Sequence, residues 1–217
     1  MMDVIDSVDT YLTKNPSAQV VLFMDIDNTL LKMKDNFGSD QWFRWQVRQM
    51  RDTGVARDLR HLQRIINVIY QVHPCEPCEP EIPIKLSNLV DKWGASLRLV
   101  FITARAHMMY DTSMTQLKRI MGDHIAFDII TCEGQTKAHF AKYYLDAHPQ
   151  IRAFFFVDDS FEHFHPFTCV QEFAEMHMAL FHYTHQYPEV ASFETGNKAM
   201  YVDYFNTFAL TGVFDGL

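Results

Sequence analysis

The side chains best suited to chemistry fall in four short clusters: Asp25-Ile26-Asp27-Asn28-Thr29-Leu30, Thr103-Ala104-Arg105, Gly134-Gln135-Thr136-Lys137 and Asp158-Asp159-Ser160. Three of their carboxylates, Asp25, Asp158 and Asp159, could not share one pocket unaided, because like charges at low dielectric repel strongly. A hard divalent cation removes the conflict. Mg²⁺ takes oxygen ligands and commonly combines one or two carboxylates with water and phosphate. The Lys137 ammonium and the Thr103 hydroxyl then suit the remaining oxygens of a phosphoryl group. The constellation points to phosphoryl transfer. A single aspartate after a strand has a plainer explanation, the capping of the next helix; four clusters after four successive strands are not explained that way.

Those strands are legible as short apolar runs at 19–24, 97–102, 126–130, 152–157 and 178–183. Near-continuous apolar runs of this length suit a parallel sheet covered on both faces. Helical patterns at 106–121, 136–147 and 168–177 separate the last four, and another at 196–210 closes the chain. Alternating strands and helices predict an α/β, Rossmann-like parallel sheet of about five strands flanked by helices. Each chemical cluster then sits at or just beyond the carboxyl end of a strand, where open α/β sheets place ligands. Between the first two strands lie roughly 70 residues, far more than a minimal crossover needs. This stretch, 32–96, reads as an insertion with helices at 40–52, 57–72 and 84–93 and a Pro-rich loop at 73–80. The expected division is a core of 1–31 and 97–217 and a small helical cap of 32–96 inserted after the first strand.

In this order the clusters resemble the four signature motifs of the haloacid dehalogenase (HAD) superfamily: Asp25-Ile-Asp-Asn-Thr-Leu30, Thr103, Lys137 and Asp158-Asp159. The resemblance covers about 19–31 and 97–183, and its first motif is the most specific. It implies a capped, phosphatase-like member from a bacterial branch, using Mg²⁺ and an aspartyl-phosphate intermediate. It implies Asp25 as nucleophile and metal ligand. Asp27 would be the general acid and base, its main-chain carbonyl completing a metal position. Thr103 and Lys137 would clamp the phosphate, Asp158 would bind metal directly, and Asp159 would act from the outer sphere. An acid at Asp27 favours phosphatase or phosphotransferase chemistry over dehalogenation. The alternatives are transfer to a second substrate and a HAD-fold binding protein without turnover. A response-regulator receiver is excluded by order, because its acidic pair follows the first strand.

Other features carry less. Ala104 and Arg105 are candidate substrate contacts; Arg105 serves equally to orient its loop. Residues 41–64 hold six of the chain's ten arginines. Arg44, Arg48 and Arg51 share one helical face, and Arg57, Arg60 and Arg64 another. Either these are solvated faces, or the first set, Arg44 and Arg48 above all, draws an anionic substrate or acidic partner. The expected apolar stripes are Phe43, Val47 and Met50 on the first helix and Leu59, Leu62, Ile66 and Ile69 on the second. Cys75-Glu-Pro-Cys78 with His73 has metal-like spacing but no second ligand pair for zinc, so a plain loop is the simpler reading. His163 and His165 follow the acidic pair and either reach the site mouth or lie on the surface.

The chain's totals narrow the partners. Its 217 residues carry 19 Lys and Arg against 27 Asp and Glu, a formal net charge of -8. Such a surface gains nothing from a nucleic-acid backbone or an anionic membrane. No apolar stretch approaches the ~20 residues of a membrane span. The N-terminus has early acids and no apolar core, unlike a Sec signal peptide. Four cysteines form no evident disulfide framework, which suits a reducing, cytoplasmic setting; export without a Sec signal stays open. The expected partner is a phosphorylated small molecule, and the oligomeric state is not specified by the sequence.

Overall fold

The structure, a computed structural model, describes residues 1–52 and 59–198. In chain order its first elements are α1 (Met2–Lys14), β1 (Gln19–Met24), β2 (Leu31–Met33), α2 (Asp40–Asp52) and α3 (Leu59–Val72). There follow β3 (Cys75–Pro77), α4 (Ile82–Trp93), β4 (Leu97–Thr103), α5 (Tyr110–Met121) and β5 (Asp128–Thr131). The last are α6 (Lys137–Ala147), β6 (Ile151–Asp158), α7 (Phe164–Thr168), β7 (His177–His182) and α8 (Tyr187–Thr195). Among the described residues no helix is long and apolar enough to cross a membrane.

The five expected strands form one parallel sheet in the order β5-β4-β1-β6-β7. Counting only its own strands, that order is 3-2-1-4-5, a Rossmann-like arrangement. Central β1 is apolar and buried from Val20 to Met24 because both its faces are covered. Val21 and Phe23 join Phe154, Phe156, Val100 and Ile102 in a core closed by Ala138, Ala141 and Leu145 of α6 and by Phe164 and Phe167 of α7. The alternate residues point the other way, where Phe155 meets the ring of Tyr11 from α1 edge-on at 5.8 Å. Helix α1 was not foreseen; it buries Val4, Ile5, Val8 and Leu12 on one face.

The chain divides into two compact units, and the division departs from the expected one: residues 1–32 with 75–186, and 33–74 with 187–217. The inserted unit therefore ends near 74, not 96. Residues 82–93 belong to the sheet unit because Lys92 Nζ and Trp93 Nε1 of α4 both donate to Asp9 of α1, at 2.6 and 2.7 Å. Conversely α8, expected with the core, joins the insertion. Arg48 of α2 holds both carboxylate oxygens of Glu194, at 2.7 and 2.8 Å, and Trp45 packs edge-on against Phe193.

Inside the inserted unit the core stripe of α2 is displaced from the expected one. Trp42 and Trp45 are buried with Gln41 and Gln46, while Phe43, Val47 and Met50 are half-buried. The larger indoles take the interior. On α3, Leu62, Ile66 and Ile69 are buried as expected, but Leu59 is exposed. Gly38 has φ +78°, and a Cβ there would lie 2.4 Å from Ile69 Cγ2, so only glycine fits.

Two further expectations differ in detail. The pattern at 168–177 is not one helix: α7 starts earlier, at Phe164, and a separate 3₁₀ turn spans Gln171–Glu175. Pro166 sits in the first turn of α7, where its missing N–H costs nothing, and the helix ends once Phe164 and Phe167 are buried. The helix expected at 196–210 lies almost wholly outside the described residues.

Candidate active site

In a 3-2-1-4-5 sheet the strand order reverses beside β1, and a crevice opens outside the carboxyl ends there. Asp25 follows β1 directly, and its backbone N–H still bonds the Val157 carbonyl of β6 at 3.0 Å. Asp25 therefore leaves the sheet level with Asp158, the last residue of β6. The chain then reverses. The N–H groups of Leu30 and Leu31 both return to the Ile26 carbonyl, and Asn28 adopts a left-handed φ of 58°, which asparagine accepts more readily than most residues. The reversal brings Thr29 back onto Asp25. Its hydroxyl donates to Asp25 Oδ2 at 3.3 Å and accepts the backbone N–H of Asp159 at 3.1 Å.

Lys137 opens α6 and is buried. A cation at a helix N-terminus opposes the helix dipole, so a local compensation is required. Two carboxylates supply it: Lys137 Nζ donates to Asp25 Oδ1 and, at 2.7 Å, to Asp158 Oδ2. Asp158 Oδ2 also meets His163 Nδ1 at 2.9 Å, and its Oδ1 accepts the backbone N–H of Ser160 at 2.8 Å.

Burial pushes the Asp25 carboxyl up to about 7; the neighbouring charges of Asp158 and Asp27 add to the rise, and Lys137 opposes it. Burial also works upward on Asp158, but Lys137 and His163 outweigh it and hold that carboxyl below its usual range. For Lys137 burial disfavours the charge, yet the two carboxylates outweigh it and hold the ammonium above its usual range. Burial pushes the neighbouring Cys132 thiol up to about 12, so it stays protonated beside the site.

Asp25, Asp158 and Asp159 can each present a carboxylate oxygen within 4.8 Å of the others. An all-oxygen set with excess negative charge fits a hard cation such as Mg²⁺. Among the described residues it is the one group of three with metal-ligand spacing. Cys75 and Cys78 join no such group. Cys75 opens the extended strand β3, its Sγ accepts Arg119 Nη2 at 3.4 Å, and no disulfide links the four cysteines.

The second cluster is split in its roles. Thr103 ends β4, is buried, and accepts the backbone N–H of Arg105 on its hydroxyl at 3.3 Å. Ala104 is exposed, and its carbonyl accepts the N–H of Gly134 at 3.0 Å. Arg105 turns inward and pairs with Asp27: Nε meets Oδ2 and Nη2 meets Oδ1, each at 2.8 Å. Its Nη1 donates to Ser113 Oγ at 2.8 Å and Gln116 Oε1 at 2.9 Å, both on α5.

Of the remaining candidates, His163 is at the site, whereas His165 lies beside Cys169 on the surface of α7. Arg44 and Arg48 belong to the inserted unit, where they pair with Asp40 and Glu194. Thr29, Ser113, Gln116 and Ser160 carry contacts that sequence reasoning did not assign. The i, i+3 spacing of Ser113 and Gln116 on one helical face was the available signal.

Residues 2–133 match the family described as "Protein of unknown function (DUF2608)". The chain belongs to the DUF2608 family. The matched stretch takes in Asp25, Asp27, Thr103 and Arg105 and stops before Lys137 and Asp158. No curated protein matches in sequence. The solved structures similar to the chain include the following two. One is the HAD domain of the effector protein Lem4 from Legionella pneumophila, an inactive mutant, at 11% identity over 87% of this chain and 98% of that one, with a TM-score of 0.48. The other is a haloacid dehalogenase-like family hydrolase from Xanthomonas campestris, at 16% identity over 66% of this chain and 75% of that one, with a TM-score of 0.39.

Proposed function

We propose that the protein is a Mg²⁺-dependent phosphatase that hydrolyses a phosphomonoester through an aspartyl-phosphate on Asp25. The observation that carries this reading is the pair of hydrogen bonds that buried Lys137 donates to Asp25 and Asp158 within a cluster of three carboxylates. Asp25, Asp158 and Asp159 would hold the cation, with the Asp27 carbonyl completing the set on the resemblance. Bound there, Mg²⁺ supplies positive charge against the phosphoryl oxygens and the carboxylates.

The chain's own residues then do the following. A carboxylate oxygen of Asp25 attacks phosphorus, and the bond to the leaving oxygen breaks. Asp27, two residues on and partly open to solvent, gives that oxygen a proton. Lys137 keeps Asp25 oriented and offsets its charge, and Thr29 fixes its other oxygen. A water then loses a proton to Asp27 and cleaves the acyl phosphate, releasing inorganic phosphate and restoring Asp25.

The test is hydrolysis of a small aryl phosphate, then of a panel of phosphorylated metabolites, with Mg²⁺ and with EDTA. Turnover should need the metal and vanish in Asp25→Asn, because an amide cannot form the acyl phosphate. Full turnover by Asp25→Asn would remove it as nucleophile.

A further inference from the structure

We propose that Arg105 is a positioning residue that acts on the reaction through Asp27 and does not touch the substrate. The inference rests on the phosphatase reading of the site. The guanidinium is only 5% exposed, whereas the Asp27 side chain is 22% exposed, so Asp27 can meet a substrate from which Arg105 is screened. All three guanidinium nitrogens are already engaged. Two form a fork on the Asp27 carboxylate, and the third is held from behind by Ser113 and Gln116. Turning any of them toward a phosphate would break a bond to Asp27 or to the buried Ser113 and Gln116. The backbone is fixed too, through Thr103 Oγ1.

The fork sets both the place and the plane of the Asp27 carboxylate. A lysine, with one compact ammonium, cannot reproduce it. Helix α5, which supplies no residue to the carboxylate cluster, thereby determines how the proton-transfer group faces the reacting phosphorus. A catalytic group displaced by ~1 Å can cost ~10²-fold in rate, and that is the scale expected for losing the fork.

The experiment is a cycle of four proteins assayed with Mg²⁺ on an alkyl phosphate: wild type, Arg105→Gln, Asp27→Asn and the double variant. Arg105→Gln should lower kcat by ~10²-fold with KM changed less than about threefold. In the Asp27→Asn background the same substitution should cost less than about threefold, because residues acting as a unit are not additive. Arg105→Lys should restore little. Should the Arg105 variants fail to fold, Ser113→Ala carries the test. It removes one bond behind the guanidinium and should give the same pattern at a smaller scale. A rise in KM with kcat unchanged, or equal losses in both backgrounds, overturns the positioning role while leaving the phosphatase reading intact. Absence of any phosphate-ester turnover by the wild type overturns both.

Discussion

The hydroxyl of Thr29 ties Asp25 to the backbone of Asp159, which lies 130 residues beyond Thr29 in the chain. One side chain thus fixes the first carboxylate and the loop bearing the third. Thr29→Val keeps the shape and removes both bonds. Outer contacts of this kind are typically worth about 10–100-fold in metal affinity or activity. The Mg²⁺ concentration needed for half-maximal turnover should therefore rise by at least about tenfold. An unchanged Mg²⁺ titration would show that the hydroxyl does not organise the cluster.

Metal binding has a readout that needs no substrate. A ligand that binds only the folded state raises stability by about 2.7 kcal/mol at 100 times its dissociation constant. Saturating Mg²⁺ should raise the melting temperature of the wild type, and EDTA should reverse it. Asp158→Asn should lose most of that response, measured by thermal melts with and without the metal. An equal Mg²⁺ shift in the variant would put the cation elsewhere.

Asp25 links stability to pH. Its carboxyl rises from an ordinary 3.8 to about 7 on folding, chiefly through burial. Between those values the unfolded chain has lost the proton and the folded one keeps it. The metal-free protein should therefore lose stability as pH rises from about 4 to about 7, with no further loss from this group above that. Asp25→Asn cannot ionise and should not share the decline. Melting curves in EDTA at pH 5 and pH 8 decide it; parallel declines in the two proteins contradict the shift.

The paired aspartates should separate kinetically. General acid and base help is worth ~10²–10⁴-fold, so Asp27→Asn should be slowed by that order on alkyl phosphates. Its first step should suffer less with aryl phosphates, whose phenol leaves without much protonation. Breakdown still needs the base, so phosphoenzyme should accumulate on Asp25, seen by mass spectrometry as one added phosphoryl group. Full alkyl-phosphate activity in Asp27→Asn would end the proton-transfer role.

The sheet and the site clusters were legible because their signals are local. Five apolar runs marked the strands, and residue type and order marked Asp25, Lys137 and Asp158. What escaped depended on distant partners. Nothing near 82–93 says that α4 will bond Asp9, and nothing near Glu194 says that Arg48 will draw α8 to the inserted unit. The three-residue strands β2 and β3 are too short to leave a period. Arg105 was visible as a cation in the right loop, but its partner lies 78 residues back in the sequence.

Strand β1 is the middle of the sheet, yet both strands that flank it are made later, β4 from Leu97 and β6 from Ile151. A ribosome adding about 5–20 residues per second takes several seconds to reach even β4. For that time an apolar strand has two unsatisfied edges, each a template for pairing with another chain. Pairing across such long loops is slow in any case. The segment that anchors Asp25 most rigidly in the finished protein is the one most open to misassociation while the chain is being synthesised.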